Sequence, residues 1–238
     1  MKKILLSFCF ILVAGLAFSQ KQLVYDANAK PREVNGKFDR IKVSNAIDLY
    51  VSQSESQALA VSASEEKYIE GIKTVVEDGL LKIYYDGDKG WGNRNMKLKI
   101  YVSVTTLNSL EATGASDVLI AATLKTGDFK LTLSGASDFK GEIKAETLKV
   151  QASGASDVSI TGKSNTLIIE SSGASDFKGY GFETATCKVN CSGASDVQVT
   201  VHEEISAQAS GASSVLFKGN AILKESEASG ASNIRRKS

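Results

Sequence analysis

The tripeptide Gly-Ala-Ser recurs seven times in the second half of the chain, and this repeat restricts the possible folds more than any other feature. A period this regular indicates a repeat architecture, in which each repeat is one structural unit that packs only on its neighbours. The spacings between successive glycines are 21, 19, 19, 20, 18 and 19 residues. The glycines are Gly114, Gly135, Gly154, Gly173, Gly193, Gly211 and Gly230.

Apolar or small residues keep fixed positions relative to each glycine. Within a repeat they alternate with polar residues at period two, which is typical of half-buried strands. Each repeat is therefore predicted to hold one strand before its glycine and another strand after it. Four residues before the glycine stand Leu110, Leu131, Val150, Ile169, Val189, Ala207 and Ser226; four residues after it stand Val118, Phe139, Val158, Phe177, Val197, Val215 and Ile234.

The two periods together predict an all-β fold, a right-handed parallel β-helix with rungs of about 19–20 residues. Equivalent residues of successive rungs then stack about 4.8 Å apart and fill one interior. Glycine supplies unusual backbone angles at the corner, and the small Ala and Ser let neighbouring turns approach closely. Parallel crossovers favour the right-handed winding. Arg235, Arg236 and Lys237 are expected to blunt the open end of the solenoid.

The beginning of the chain has the pattern of a secretory signal. Lys2 and Lys3 precede an apolar run, and Ala17-Phe18-Ser19 offers small residues at the two positions that a signal peptidase recognises. We predict a signal peptide over residues 1–19 and an extended leader over 20–36. A single β-helix domain is predicted over 37–236, with opening strands over 37–110 and seven Gly-Ala-Ser repeats over 111–236. After cleavage no transmembrane segment is expected.

Within the opening region, alternating apolar residues predict several short strands. Glu65 to Glu70 is the only stretch that resembles a helix, of one or two turns. The predicted strands are residues 38–43, 47–51, 59–61, 72–76, 80–85 and 96–104.

Charge and cysteine content restrict the function. Removing residues 1–19 takes two lysines away and leaves 26 basic and 27 acidic residues, a balance that argues against nucleic-acid binding. Cys187 and Cys191 lie four apart in a strand-like stretch, roughly 13 Å at about 3.3 Å per residue, which exceeds the reach of a disulfide. Both are predicted to be small core residues.

An aspartate follows most corners and forms the sharpest polar feature. One interpretation is structural, with each carboxylate accepting a hydrogen bond from nearby backbone N–H groups or from the neighbouring serine. A second is a ladder for calcium, which prefers several oxygen ligands. A third is a set of catalytic acids on adjacent rungs, as in enzymes that cut acidic polysaccharides. The residues are Asp117, Asp138, Asp157, Asp176 and Asp196, followed by Ser214 and Asn233.

No other motif indicates catalysis or a resident cofactor. His202 is the only histidine and is predicted to be a surface or packing residue. The serines lack the surroundings of a nucleophile. Trp91, in a glycine-rich loop, has two interpretations: it contacts a ligand such as a sugar ring, or it covers an end or seam of the solenoid. Lys140, Lys178 and Lys218 are predicted to form a solvated face.

The Ser-Gly-Ala-Ser-Asp turns, the exported leader and the opening strands resemble the putative auto-transporter adhesin, head GIN domain family of Bacteroidetes-type bacteria, over roughly residues 37–236. The resemblance implies a right-handed β-helix with an adhesin-like role in the cell envelope. We therefore expect an exported, non-enzymatic protein in the periplasm, on the outer surface or secreted. Its expected partner is a cell-surface glycan or an envelope protein, and self-association through the open ends is a further expectation. The alternative is a polysaccharide-binding or pectinase-like polysaccharide-active β-helix.

Overall fold

The structure, a computed structural model, describes residues 26–87 and 96–237, and nearly all of their regular structure is β-strand. Residues Glu66–Tyr68 form a short 3-10 helix, where the sequence predicted one or two helical turns. The strands are β1 (Lys30–Arg32), β2 (Arg40–Val43), β3 (Ile47–Gln53), β4 (Ala58–Ala63), β5 (Ile72–Glu77), β6 (Leu80–Tyr85), β7 (Leu98–Val104), β8 (Ser109–Ala112), β9 (Val118–Lys125), β10 (Asp128–Leu133), β11 (Phe139–Ala152), β12 (Asp157–Ser171), β13 (Asp176–Cys191), β14 (Asp196–Ala209), β15 (Ser214–Lys218), β16 (Ile222–Ala228) and β17 (Asn233–Arg236).

Successive repeats pair in parallel, in the register that counting from the glycines predicts. Val150 of β11 lies beside Ile169 of β12, which in turn lies beside Val189 of β13. The next rung places Ala207 beside Val189. The prediction of an all-β parallel solenoid is confirmed; its right-handed winding stays a prediction.

On either side of the corners the strands pair in two separate series, here called the first and the second sheet. Strands that precede a corner form the first sheet, in the order β5-β6-β2-β8-β10 and then the C-terminal parts of β11 to β14, ending at β16. Strands that follow a corner form the second sheet, in the order β1-β4-β7-β3-β9 and then the N-terminal parts of β11 to β14, ending at β15 and β17.

The solenoid begins one rung before the first Gly-Ala-Ser. Strands β2 and β3 form a rung, and the pairing of Leu49 with Val118 aligns Asn45-Ala46-Ile47-Asp48 with Gly-Ala-Ser-Asp. Asn45 takes the glycine position with φ of 66°, a conformation that Asn tolerates better than most residues. The region predicted only as opening strands therefore contains a full corner.

Residues between β3 and β8 build a cap on this first rung. Strands β5 and β6 form an antiparallel hairpin at the end of the first sheet, and β4 pairs antiparallel with β7 in the second. The described part of the predicted leader is held against this cap. Lys30–Arg32 pairs with β4, and Asp26 accepts a hydrogen bond of 2.9 Å from the Tyr101 hydroxyl. Pro31 on the outer strand protects that edge from further pairing.

The interior is filled by the predicted columns. The column four residues after each glycine alternates Val118, Phe139, Val158, Phe177 and Val197, all 3% exposed or less. Large and small side chains thus alternate along the axis and interdigitate, which gives dense packing.

The two cysteines lie in this core, as predicted. Cys187 and Cys191 are both buried and free. Burial raises the pKa of both thiols, so the thiolate, which is the nucleophilic form, is disfavoured in both.

The serine of each corner is buried and joins two rungs. Ser156 Oγ accepts from the Ser137 N–H at 3.4 Å and donates to the Ser153 carbonyl at 3.0 Å. The same acceptor contact recurs from one corner to the next, beginning with the Ile47 N–H and Ser116 Oγ. Serine was predicted here for its small size, and the structure adds that its hydroxyl satisfies a backbone donor with no strand partner. The serines are Ser116, Ser137, Ser156, Ser175, Ser195 and Ser213.

Replacing one corner serine tests this role. We expect Ser156→Ala to lower the free energy of unfolding by about 1–3 kcal/mol, because it leaves the buried Ser137 N–H without its acceptor. Urea unfolding followed by circular dichroism measures the change. Ala155→Ser, at the exposed neighbouring position, is the control and should change stability little. Equal stability of wild type and Ser156→Ala would contradict the role.

Two cations near the C-terminal end of the solenoid lie over aromatic rings. The Arg236 guanidinium lies 5.3 Å from the centre of the Phe217 ring and donates to the Ala221 carbonyl. Lys237 Nζ lies 5.3 Å from the centre of the Tyr180 ring. β16 is exposed along its length, with Ile222 66% exposed. The blunting of this end by basic residues and self-association through it both stay predictions.

Candidate functional site

The predicted aspartates form one column on the outer face of the second sheet. Asp157, Asp176 and Asp196 are direct neighbours in the strand pairing. Asp48 extends the column at its N-terminal end, because Leu49 pairs with Val118. We call Asp48, Asp117, Asp138, Asp157, Asp176 and Asp196 the Asp column.

Hydrogen bonds between rungs offset part of the repulsion within the Asp column. Asp138 Oδ1 accepts from the Asp157 backbone N–H at 3.3 Å. Lys178 Nζ lies 2.6 Å from Asp157 Oδ2 and 3.5 Å from Asp176 Oδ2, and the hydrogen bond to Asp157 is the main cause that raises the pKa of Lys178. These contacts support the structural interpretation for Asp138 and Asp157, whose donors come from the next rung.

The N-terminal end of the Asp column differs from the rest. Burial is the main cause that raises the pKa of both Asp48 and Asp117, and a neighbouring carboxylate adds to it in each case. Beside them the rings of Tyr50 and Tyr101 stack with centroids 4.9 Å apart. This end therefore combines aromatic surface with two carboxylates that protonate more readily than usual.

The calcium interpretation of the Asp column gains no support from a cluster of metal ligands among the described residues. Over residues 26–87 and 96–237, no group of three or more His, Cys, Asp or Glu side chains is placed to hold an ion. The calcium ladder stays a hypothesis, which a comparison of melting temperature in calcium and in chelator would test.

Ionisation of Asp48 is predicted to destabilise the native state. Its raised pKa means that the native state binds the proton more tightly than the unfolded chain does. The resulting stabilisation is complete below the ordinary pKa of 3.8 and is lost as the pH rises through the raised value. Asp48→Asn, which cannot ionise, should therefore melt at a higher temperature than wild type at pH 7.

The same variant should show no advantage at a pH well below 3.8, where Asp48 is protonated in both states. Melting curves across this range make the comparison. Asp128→Asn, at an exposed position away from the column, is the control. A melting temperature of Asp48→Asn at or below that of wild type at pH 7 would contradict the prediction.

A second polar feature, which the sequence analysis did not identify, lies on the first sheet beside the corners. It is a groove of about 920 Å³ that crosses six rungs. From Gly135 onward, the residue three places before each glycine lines it. From Gly154 onward, the serine directly before the glycine lines it as well. We call this feature the polar groove, and its characteristic side chains are Thr132, Gln151, Glu170, Asn190, Gln208 and Glu227.

Amides and carboxylates contact one another along the polar groove. Gln151 Nε2 donates to Glu170 Oε2 at 2.5 Å, and Gln208 Nε2 donates to Glu227 Oε2 at 3.2 Å. Lys149 Nζ lies 2.7 Å from Glu170 Oε1 and is the main cause that lowers the pKa of Glu170. Asn190 Oδ1 is buried and has no hydrogen-bond partner. The groove could have been found from the polar residue that recurs three places before each glycine.

The remaining predicted residues do not converge on either feature. Trp91 lies outside the described residues. His202 is on the surface, as predicted, with Nε2 3.5 Å from Glu183 Oε2. Lys140 and Lys178 are exposed, whereas Lys218 is half-buried with Nζ 4.8 Å from the centre of the Tyr180 ring.

These features define a class: an elongated β-solenoid with continuous polar columns on its outer faces. The sequence profile of the family described as putative auto-transporter adhesin, head GIN domain, matches residues 37–221. The chain belongs to this family, which confirms the resemblance on which the sequence analysis drew.

Solved structures share the fold at low sequence identity. A putative adhesin from Bacteroides fragilis has a TM-score of 0.80 and 22% identity, with coverage of 88% of this chain and 96% of that chain. A putative adhesin from Parabacteroides distasonis has a TM-score of 0.69 and 17% identity, over 87% and 95% of the two chains. A putative lipid binding protein from the same species has a TM-score of 0.66 and 20% identity, over 88% and 98%.

These likenesses establish the fold alone, and the three proteins are described with different roles, as expected when fold does not determine function. No curated protein matches the chain. Within the described ranges, no helix has the length and apolar character needed to cross a membrane.

Proposed function

We propose that the protein is exported and acts by non-enzymatic adhesion, binding molecules at a cell surface or in the cell envelope. The predicted signal peptide over residues 1–19 supports export. Membership of an adhesin family supports the binding role. The observation that carries the proposal is the repeated outer surface, because the polar groove presents similar side chains on six successive rungs.

A repeated surface suits adhesion better than catalysis. A catalytic site concentrates different groups around one reacting bond, whereas the polar groove offers related contacts over a distance of many rungs. Many weak contacts to a repetitive surface combine into firm attachment without any single strong site. The proposal also agrees with the adhesin descriptions of two proteins that share the fold.

Binding of the purified protein to bacterial cells, isolated envelopes and an array of glycans tests this function. The signal-processed chain carries a fluorescent label, and an equally labelled globular protein of similar net charge is the control. We expect saturable binding to at least one surface and no turnover of the bound molecule. Binding no stronger than that of the control on every surface would contradict the proposal.

A second candidate function rests on Asp48 and Asp117. Two neighbouring carboxylates with raised pKa beside stacked tyrosines are the groups that acid–base chemistry on a polysaccharide would use. Release of reducing ends from a panel of polysaccharides measures such activity. Activity that disappears in Asp48→Asn would favour this candidate over adhesion, and absence of release from the whole panel would exclude it for those substrates.

A further inference from the structure

We infer that the polar groove binds an uncharged linear polysaccharide, whose chain lies across the rungs along the solenoid axis. The inference rests on the proposed adhesive function and names the ligand class that the site would take. Its starting point is the continuity of the groove, which runs from Thr132 to Glu227 without interruption.

The length and period of the polar groove fit a polymer. Six rungs give five spacings, or about 24 Å at about 4.8 Å per rung. Each rung contributes a hydroxyl, amide or carboxylate side chain, and most add a serine from the position before the glycine. A pyranose unit in an extended chain has about the length of one rung spacing, so successive sugars would meet successive rungs. In an extended peptide, side chains on one face repeat every two residues, about 6.6 Å. This repeat is longer than the spacing between rungs, so successive peptide side chains would not meet successive rungs.

The hydrogen-bonding capacity of the groove fits hydroxyl groups. Asn190 places an amide side chain in the lining, between Glu170 and Gln208 of the neighbouring rungs. The amide groups of Gln151 and Gln208 each use one N–H in the contacts to glutamate, which leaves a second N–H able to donate. A sugar hydroxyl both donates and accepts, so one hydroxyl can satisfy an amide oxygen and an amide N–H together.

The charges of the groove favour an uncharged ligand. Its lining contains Glu170 and Glu227 but no lysine, arginine or aromatic residue. A polyanion such as polygalacturonate would meet two carboxylates and no cationic side chain in the lining. The two carboxylates already accept hydrogen bonds from glutamine, and Glu170 is also paired with Lys149, so they offer little attraction to a polycation. Without stacking on aromatic rings, affinity must come from many hydrogen bonds and should increase with chain length.

The test measures binding of the signal-processed chain to neutral linear polysaccharides. The probes are soluble β-glucan, xylan and mannan, with their oligosaccharides of increasing length, and polygalacturonate as the anionic comparison. We expect at least one neutral polymer to bind, with affinity that increases over several sugar units and then levels off. The double variant Gln151→Leu with Asn190→Leu should bind at least about tenfold more weakly, from the loss of two or more hydrogen bonds.

Gln198→Leu is the matched control, since Gln198 is a half-buried amide on the second sheet, away from the groove. Circular dichroism and melting temperature verify that each variant folds. Equal affinity of the double variant and wild type, preference for polygalacturonate, or competition by an extended peptide alone would each overturn the inference. If wild type and double variant adhere equally to cells, the inference fails while the proposed adhesion stands. If wild type adheres to nothing, the proposed function fails as well.

Discussion

Gly173→Ala is expected to lower the free energy of unfolding by about 2–5 kcal/mol. Gly173 has φ of 77°, a left-handed conformation that disfavours any side chain. An added Cβ would lie only 2.5 Å from the carbonyl oxygen of Gly154 in the preceding rung. That oxygen accepts a hydrogen bond of 2.8 Å from the Ala174 N–H. The substitution therefore strains the backbone and pushes two rungs apart at once.

Chemical denaturation of Gly173→Ala and wild type measures this loss. Gly127→Ala is the control, because a Cβ at Gly127 would meet no atom within 4 Å, and its stability should change by no more than about 0.5 kcal/mol. A loss of free energy of unfolding in Gly173→Ala no larger than that in Gly127→Ala would contradict this prediction. It would mean that the close stacking of glycines does not fix the geometry of the corner.

Phe177→Ala is the second change with a large expected effect, a loss of about 3–5 kcal/mol. The Phe177 side chain is 1% exposed and lies between Val158 and Val197 in the strand pairing. Its ring also packs closely against Gly179, where an added Cβ would lie 2.3 Å from Cε1. Truncation would leave a cavity that the rigid stack of rungs on both sides cannot close.

Phe177→Leu separates the loss of packing from the loss of the ring itself. Leucine keeps much of the apolar volume, so it should lose clearly less stability than alanine. Urea unfolding by circular dichroism compares the three proteins, and hydrogen exchange of the flanking strands shows whether the damage stays local. Equal losses for the two variants would mean that the aromatic ring, rather than the filled volume, stabilises this position.

The solenoid could be predicted from the sequence because residue types alone show both of its periods, the one along each strand and the one from rung to rung. Alternation at period two marks the strands, and recurrence of Gly-Ala-Ser sets the register between rungs. The rung with Asn45 at its corner was missed because asparagine there replaces glycine, although Ala46 and Asp48 keep their places. Recognising it requires the pairing of Leu49 with Val118, which no local pattern shows.

The candidate sites were harder to predict than the fold. Counting from the glycines located the Asp column, but the origin of its hydrogen bonds in the next rung depends on the relative position of two backbones. The polar groove was missed because its side chains vary from Thr132 to Gln151 to Glu170, so they share polarity at one position but no residue type. Its depth depends on how far these side chains rise above the small residues of the corner, which is a property of the folded surface.

Alternation of phenylalanine and valine in the core also bears on how the chain finds its register while folding. Repeats this similar could pair with the wrong neighbour, because every corner offers the same backbone contacts. If the strand of Phe177 skipped a rung and joined that of Phe139, two rings would compete for the space of one, and two valines would later face a void. The alternating column thus penalises misaligned intermediates, and the unlike cap next to the first rung gives the correct alignment a defined starting point.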